Sequence, residues 1–61
     1  MTRFQIQRMD RSGDWEEIFG STVASLDEAI KFARSFARND PKCAWGVRVY
    51  DTIAETVAFE P

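Results

Sequence analysis

Histidine is absent from this 61-residue chain, and cysteine occurs once, as Cys43. Without an imidazole, the usual general base near neutral pH is missing. One thiol excludes an internal disulfide, and one cysteine among scattered acids does not make a structural zinc site. Gly13, Gly20 and Gly46 are isolated, so no glycine-rich loop exists to cradle a phosphate. No apolar run approaches the ~18 residues needed to span a bilayer, and the start, Met1-Thr2-Arg3-Phe4-Gln5, holds no apolar signal core. An excess of one charge is also lacking. Residues 1–24 carry three basic and four acidic groups, residues 25–42 four and three, and residues 43–61 one and three, for a formal charge of −2. That balance argues against a binder of DNA or anionic membranes. The expectation is a soluble cytoplasmic protein, since a lone thiol suits a reducing compartment. It should have no cofactor, no small-molecule substrate and no membrane partner.

What is present is enough for one domain over residues 1–61. The large apolar candidates for its core are Phe4, Ile6, Ile18, Phe19, Leu26, Ile30, Phe32, Phe36, Trp45, Val47, Val49, Val57 and Phe59. Each stabilises by roughly 1.5–3 kcal/mol when fully buried. A chain this short hides only about 60% of its unfolded surface, and ordering the backbone costs a comparable total. The margin is thin, and self-association would widen it.

Two segments alternate polar and apolar residues at period two. Residues 3–9 read as a strand, Asp10-Arg11-Ser12-Gly13 as a type I turn with Gly13 in a G1 bulge, and residues 14–20 as the return strand. Residues 44–50 read as a third strand. Asp51-Thr52-Ile53-Ala54 reads as a turn without glycine, and Thr56 to Phe59 as a fourth strand. Between the hairpins, Ser25-Leu26-Asp27-Glu28 has the form of a capping box, in which Ser25 and Glu28 satisfy each other's backbone N–H groups. Leu26, Ala29, Ile30, Ala33, Phe36 and Ala37 then share one helical face, with Phe32 at its rim. Asn39-Asp40-Pro41 ends the helix, because proline disfavours a helical residue before it and cannot continue the ladder. The fold class is α+β in the order ββαββ: a four-stranded, mainly antiparallel sheet with one helix packed on one face. Strand order 2-1-3-4 or 1-2-4-3 satisfies an antiparallel sheet, and the sequence does not choose between them.

Leu26-Asp27-Glu28-Ala29-Ile30 continuing through Ala33-Arg34, between two hairpins, resembles the layout of small bacterial proteins such as domain-of-unknown-function family 2188. The resemblance covers much of the chain. It implies the same hairpin–helix–hairpin fold and transfers no catalytic or binding residue.

One helix covers one face of such a sheet. A G1 bulge at Gly13 sets Met9 opposite Trp15, Gln7 opposite Glu17 and Gln5 opposite Phe19. A three-residue loop in the second hairpin puts Trp45, Val47, Val49, Val57 and Phe59 on the covered face with Phe4, Ile6 and Ile18. The open face then shows Met9, Trp15, Phe19 and Tyr50 among Gln5, Gln7, Glu17 and Arg48. Exposed clusters of large apolar residues mark interaction surfaces, and Trp, Tyr, Phe, Met and Arg are enriched at interfaces. Met9, Trp15, Phe19, Arg48 and Tyr50 are therefore the candidate surface, for a second copy or another protein. A one-residue slip would instead move Trp15 and Phe19 to the core and Ile18 outward, and a bulge at Glu16-Glu17 would shelter one aromatic.

Other features carry less. Glu16 and Glu17 are adjacent on a strand and point to opposite faces, so they form no carboxylate pair. Cys43, entering a strand, reads as a small apolar residue rather than a nucleophile. Lys31, Arg34 and Arg38 form a basic helix stripe, either a solvated face suited to the helix dipole or an anion site. Arginine and aromatics on an open sheet can stack single-stranded bases, but Glu17, Glu60 and the acidic balance oppose that alternative.

Overall fold

The structure, a computed structural model, describes residues 2–18 and 20–61. The chain forms β1 (Phe4–Met9), β2 (Trp15–Glu17), α1 (Leu26–Asn39), β3 (Val47–Asp51) and β4 (Thr56–Phe59), with a 3₁₀ turn over Pro41–Cys43. The four strands make one antiparallel sheet in the order β2-β1-β3-β4. Helix α1 packs across the two central strands, β1 and β3. The expected ββαββ fold is thus present, and the order 2-1-3-4 is the one adopted.

The first hairpin follows its turn chemistry. Asp10 N–H donates to the Asp14 carbonyl at 2.9 Å, and Gly13 takes φ +90°. One Asp10 carboxylate oxygen accepts from the N–H groups of Ser12 and Asp14 at 2.9 and 3.0 Å and from the Ser12 hydroxyl at 2.7 Å. These bonds, the Ser12 hydroxyl first, hold the Asp10 carboxyl below its ordinary value. Met9 pairs with Trp15 and Gln7 with Glu17, the register that the bulge dictates. Strand β2 is shorter than residues 14–20, although the pairing continues one bond further, from Ile18 N–H to the Ile6 carbonyl. The chain then turns back, and Val23 exchanges backbone bonds with Phe4. Phe19 lies outside the described residues.

Helix α1 starts where the capping box places it, with Ser25 extended at φ −104°, ψ 132°. The Ser25 hydroxyl accepts from Glu28 N–H at a long 3.5 Å. Among the described residues, the return bond from the Glu28 side chain is not made. At the other end, Asp40 N–H closes on the Phe36 carbonyl. Its carboxylate accepts from Lys42 N–H at 2.9 Å and so caps the 3₁₀ turn.

The core gathers Phe4, Ile6, Val47 and Val49 from the sheet, Ala29 and Ala33 from the helix, and Cys43 from the turn. The alanines let the helix backbone approach the sheet. Ile18, Val23, Phe36 and Phe59 seal its margin. Cys43 is buried on a 3₁₀ turn rather than entering a strand, and desolvation, followed by the nearby Asp40 carboxylate, pushes its thiol up. It is a core side chain.

Four residues expected in the core, Leu26, Phe32, Trp45 and Val57, are exposed instead. Trp45 is 55% exposed and does not join the covered face. The Pro41–Cys43 turn and Gly46, at φ +141°, delay the strand until Val47, so the alternation never reaches back to Trp45. Val57 is 37% exposed and pairs with Tyr50 on the open face. The hairpin loop has four residues, 52–55, because the Asp51 carboxylate accepts from Ile53 and Ala54 N–H at 3.0 and 3.1 Å and Glu55 takes φ +55°. A register shift at Val49/Tyr50 then returns Phe59 to Val49 on the core side. Leu26, at the first turn of the helix, is also exposed.

Asp51 is a buried acid, 6% exposed. Arg3 grips it with two parallel bonds, from Nε at 2.9 Å and Nη2 at 2.8 Å. That grip, helped by the N–H groups of Ala54 and Ile53, holds the carboxyl at about 2, against an ordinary 3.8. Arg3 thus ties the start of β1 to the end of β3. No helix among the described residues is long and apolar enough to cross a membrane.

Candidate interaction surface

The alternation of β1 and β3 builds the open face. Phe4, Ile6, Val47 and Val49 are buried under α1, so Gln5, Gln7, Met9, Arg48 and Tyr50 point the other way. Cross-strand pairing assembles them into rows. Glu17, Gln7 and Arg48 form one row across β2, β1 and β3; Gln5 and Tyr50 pair in the next, with Val57 beyond. Trp15 pairs with Met9, whose N–H bonds the Gly46 carbonyl at 3.0 Å.

Arg48 is the centre of the face. Its guanidinium carbon lies 4.2 Å from the Trp15 ring centroid and 5.8 Å from that of Tyr50. Its Nε donates to Gln7 Oε1 at 2.7 Å, and Gln7 Nε2 donates to Gln5 Oε1 at 2.6 Å. A planar cation between two aromatic rings, oriented by an amide, is held in one rotamer. Met9, Trp15, Arg48 and Tyr50 are each half-buried rather than fully exposed. Gly46 borders this arrangement, and its backbone at φ +141° rather than lack of space is what favours glycine there. A Cβ there would lie 3.4 Å from Trp15 Cη2.

Of the five candidate residues, the structure brings Trp15, Arg48 and Tyr50 into one stack and sets Met9 beside Trp15. Phe19 lies outside the described residues, so its expected pairing with Gln5 is not placed. Gln5 and Gln7 lie on this face as expected, but their locking of Arg48 was not anticipated, and Val57, expected on the covered face, is turned outward by the four-residue loop. Met9 and Trp15 also border an open cleft of about 410 Å³ whose other walls include Trp45, Gly46, Val47 and Ala37 of the helix.

Two of the remaining features have structural partners. Glu16 bonds Arg8 Nε at 2.8 Å on the helix side of the sheet, opposite in direction to Glu17. Arg34, from the basic stripe, lies 5.4 Å over the Phe59 ring and covers it. Among the described residues, no group of three or more His, Cys, Asp or Glu side chains is placed to hold a metal ion.

No family model matches this chain, and no curated protein or solved structure matches it.

Proposed function

We propose that this chain is a small, non-catalytic, cytoplasmic interaction module that works through its open sheet face and associates with itself. The Trp15–Arg48–Tyr50 stack supports the reading most directly. Holding a guanidinium between two rings removes conformational freedom before a partner arrives, which lowers the entropic cost of binding. These residue types dominate interface hot spots. The lone buried thiol of Cys43 supports the reducing compartment, and the chain has no histidine to serve as a general base. The resemblance to domain-of-unknown-function family 2188 adds a layout to this reading and no residue.

Single-stranded nucleic acid is the alternative occupant. Arg48 already stacks on the rings a base would need, and Glu17 stands in the same row, so the face favours protein. Light scattering across a concentration series tests the proposal. Self-association that Trp15→Ala weakens supports it; a clean monomer unaffected by Trp15→Ala contradicts it. Salt-sensitive binding of a random single-stranded oligonucleotide, lost in Trp15→Ala, would favour the alternative.

A further inference from the structure

Resting on the open face as the working surface, we infer that two copies dock face to face about a two-fold axis parallel to β1, passing through Gln7. The warrant is the charge pattern of one row. Gln7 pairs with Glu17 on one side and with Arg48 on the other. The row therefore carries a carboxylate, an amide and a guanidinium, its ends roughly 10 Å apart at strand spacing. A two-fold interface presents the same patch on both copies and must complement itself. Rotation about an axis along the strands carries each end of this row onto the other. Glu17 of each copy then meets Arg48 of the second copy, twice per dimer. Rotation about an axis across the strands sets Glu17 on Glu17 and Arg48 on Arg48, which like-charge repulsion opposes.

Both groups are prepared for this contact. Arg48 is fixed through Nε by Gln7 at 2.7 Å and by the two rings, and its Nη groups make no hydrogen bond among the described residues, so they can meet a carboxylate. Glu17 is exposed; its Oε1 accepts from the Thr22 hydroxyl at 2.9 Å, which leaves Oε2 for the second copy. The sheet edges are poor alternatives. Strand β4 is flanked by Glu55 and Glu60, and pairing it antiparallel with itself about Val57/Ala58 opposes those two acids. Strand β2 carries Glu16 and Glu17. The overlapping strands outline a patch roughly 14 by 20 Å, well below the ~800 Å² per partner of a standard interface. The dimer is consequently weak and reversible.

Sedimentation equilibrium at low salt, extended to about millimolar chain, tests the axis with charge reversals. Far-UV circular dichroism first checks that each chain is folded. Wild type dimerises, and added salt weakens the dimer. Glu17→Arg alone and Arg48→Glu alone each weaken association at least about tenfold, and an equimolar mixture of the two recovers it, because both cross-contacts are again opposite in sign. Should Arg48→Glu fail to fold, the exposed Glu17 carries the test: association falls from wild type to Glu17→Gln to Glu17→Arg. Reversals without effect, a mixture no stronger than its parts, or a flat Glu17 series overturns the axis and leaves the open-face reading standing. A wild-type chain that stays monomeric throughout overturns both.

Discussion

Replacing Arg48 by methionine keeps an unbranched side chain over Trp15 and Tyr50 while removing the charge, the flat guanidinium and the bond to Gln7. Two main interactions are lost, besides the more distant contact to the Tyr50 ring at 5.8 Å. The cation–π contact, 4.2 Å from the Trp15 centroid, is worth about 0.5–1 kcal/mol at a half-exposed site. The hydrogen bond to Gln7 Oε1, at 2.7 Å, is worth about 0.5–1.5 kcal/mol net. Arg48→Met should therefore destabilise the monomer by roughly 1–2 kcal/mol, a fall in melting temperature of roughly 5–15 °C for a domain of this size. The stack itself is isolated by a double-mutant cycle with Trp15→Leu. The coupling should be about 0.5–1 kcal/mol, because the Gln7 bond cancels between the two arms of the cycle. Urea unfolding followed by far-UV circular dichroism is the suitable assay, since it needs no tryptophan signal, and dilute protein keeps association out of the measurement. A coupling indistinguishable from zero, with Arg48→Met as stable as wild type, would refute the idea of a prebuilt stack.

Asp51 predicts an acid step. Its folded value of about 2 lies below its ordinary 3.8, so the stabilisation from its pairing with Arg3 is fully present above pH 3.8 and is lost as pH falls towards 2; Asp51→Asn should flatten that part of the stability–pH curve. Ile6 is fully buried, so Ile6→Ala should cost roughly 2–5 kcal/mol and leave much of the chain unfolded at room temperature, whereas Ile6→Val should cost about 0.5–1.5 kcal/mol and melt cooperatively. Ser25→Ala should cost about 0.5–1 kcal/mol, at the low end for an N-cap because the bond is long, while Glu28→Gln, which breaks no observed return bond, should change thermal stability little.

The fold was legible where local chemistry and hydrophobic period agree. Asp10 and Gly13 dictate the first turn, and the turn dictates that Met9 opposes Trp15. Ser25 and Pro41 bracket the helix. The order β2-β1-β3-β4 was not legible, because it depends on β1 pairing with β3 rather than β2 with β4, a long-range choice. Part of it is visible in hindsight: Arg3 and Asp51 can join only if β1 and β3 are neighbours.

The second hairpin misleads for a different reason. A loop without glycine gives no length signal, and its length is set by the Asp51 carboxylate folding over Ile53 and Ala54. One extra loop residue moves Val57 to the opposite face, and the register shift near Tyr50 restores Phe59. Trp45 misleads because alternation continues on paper through Ala44 and Gly46, although the 3₁₀ turn has already bent the backbone. On the candidate surface, residue types identified Trp15, Arg48 and Tyr50. Their stacking, and the locking of Arg48 through Gln7 and Gln5, depends on three strands aligning, which no local pattern encodes.

The central claim is that the sheet face opposite the helix is where this protein meets a partner, beginning with itself. Amide chemical shifts recorded by NMR over a concentration series test it most directly. Concentration-dependent shifts confined to Gln5, Gln7, Met9, Trp15, Glu17, Arg48 and Tyr50, with Lys31, Arg34 and Arg38 on the helix unchanged, are the predicted result. Shifts that gather on the helix, or no concentration dependence on the open face, would contradict it.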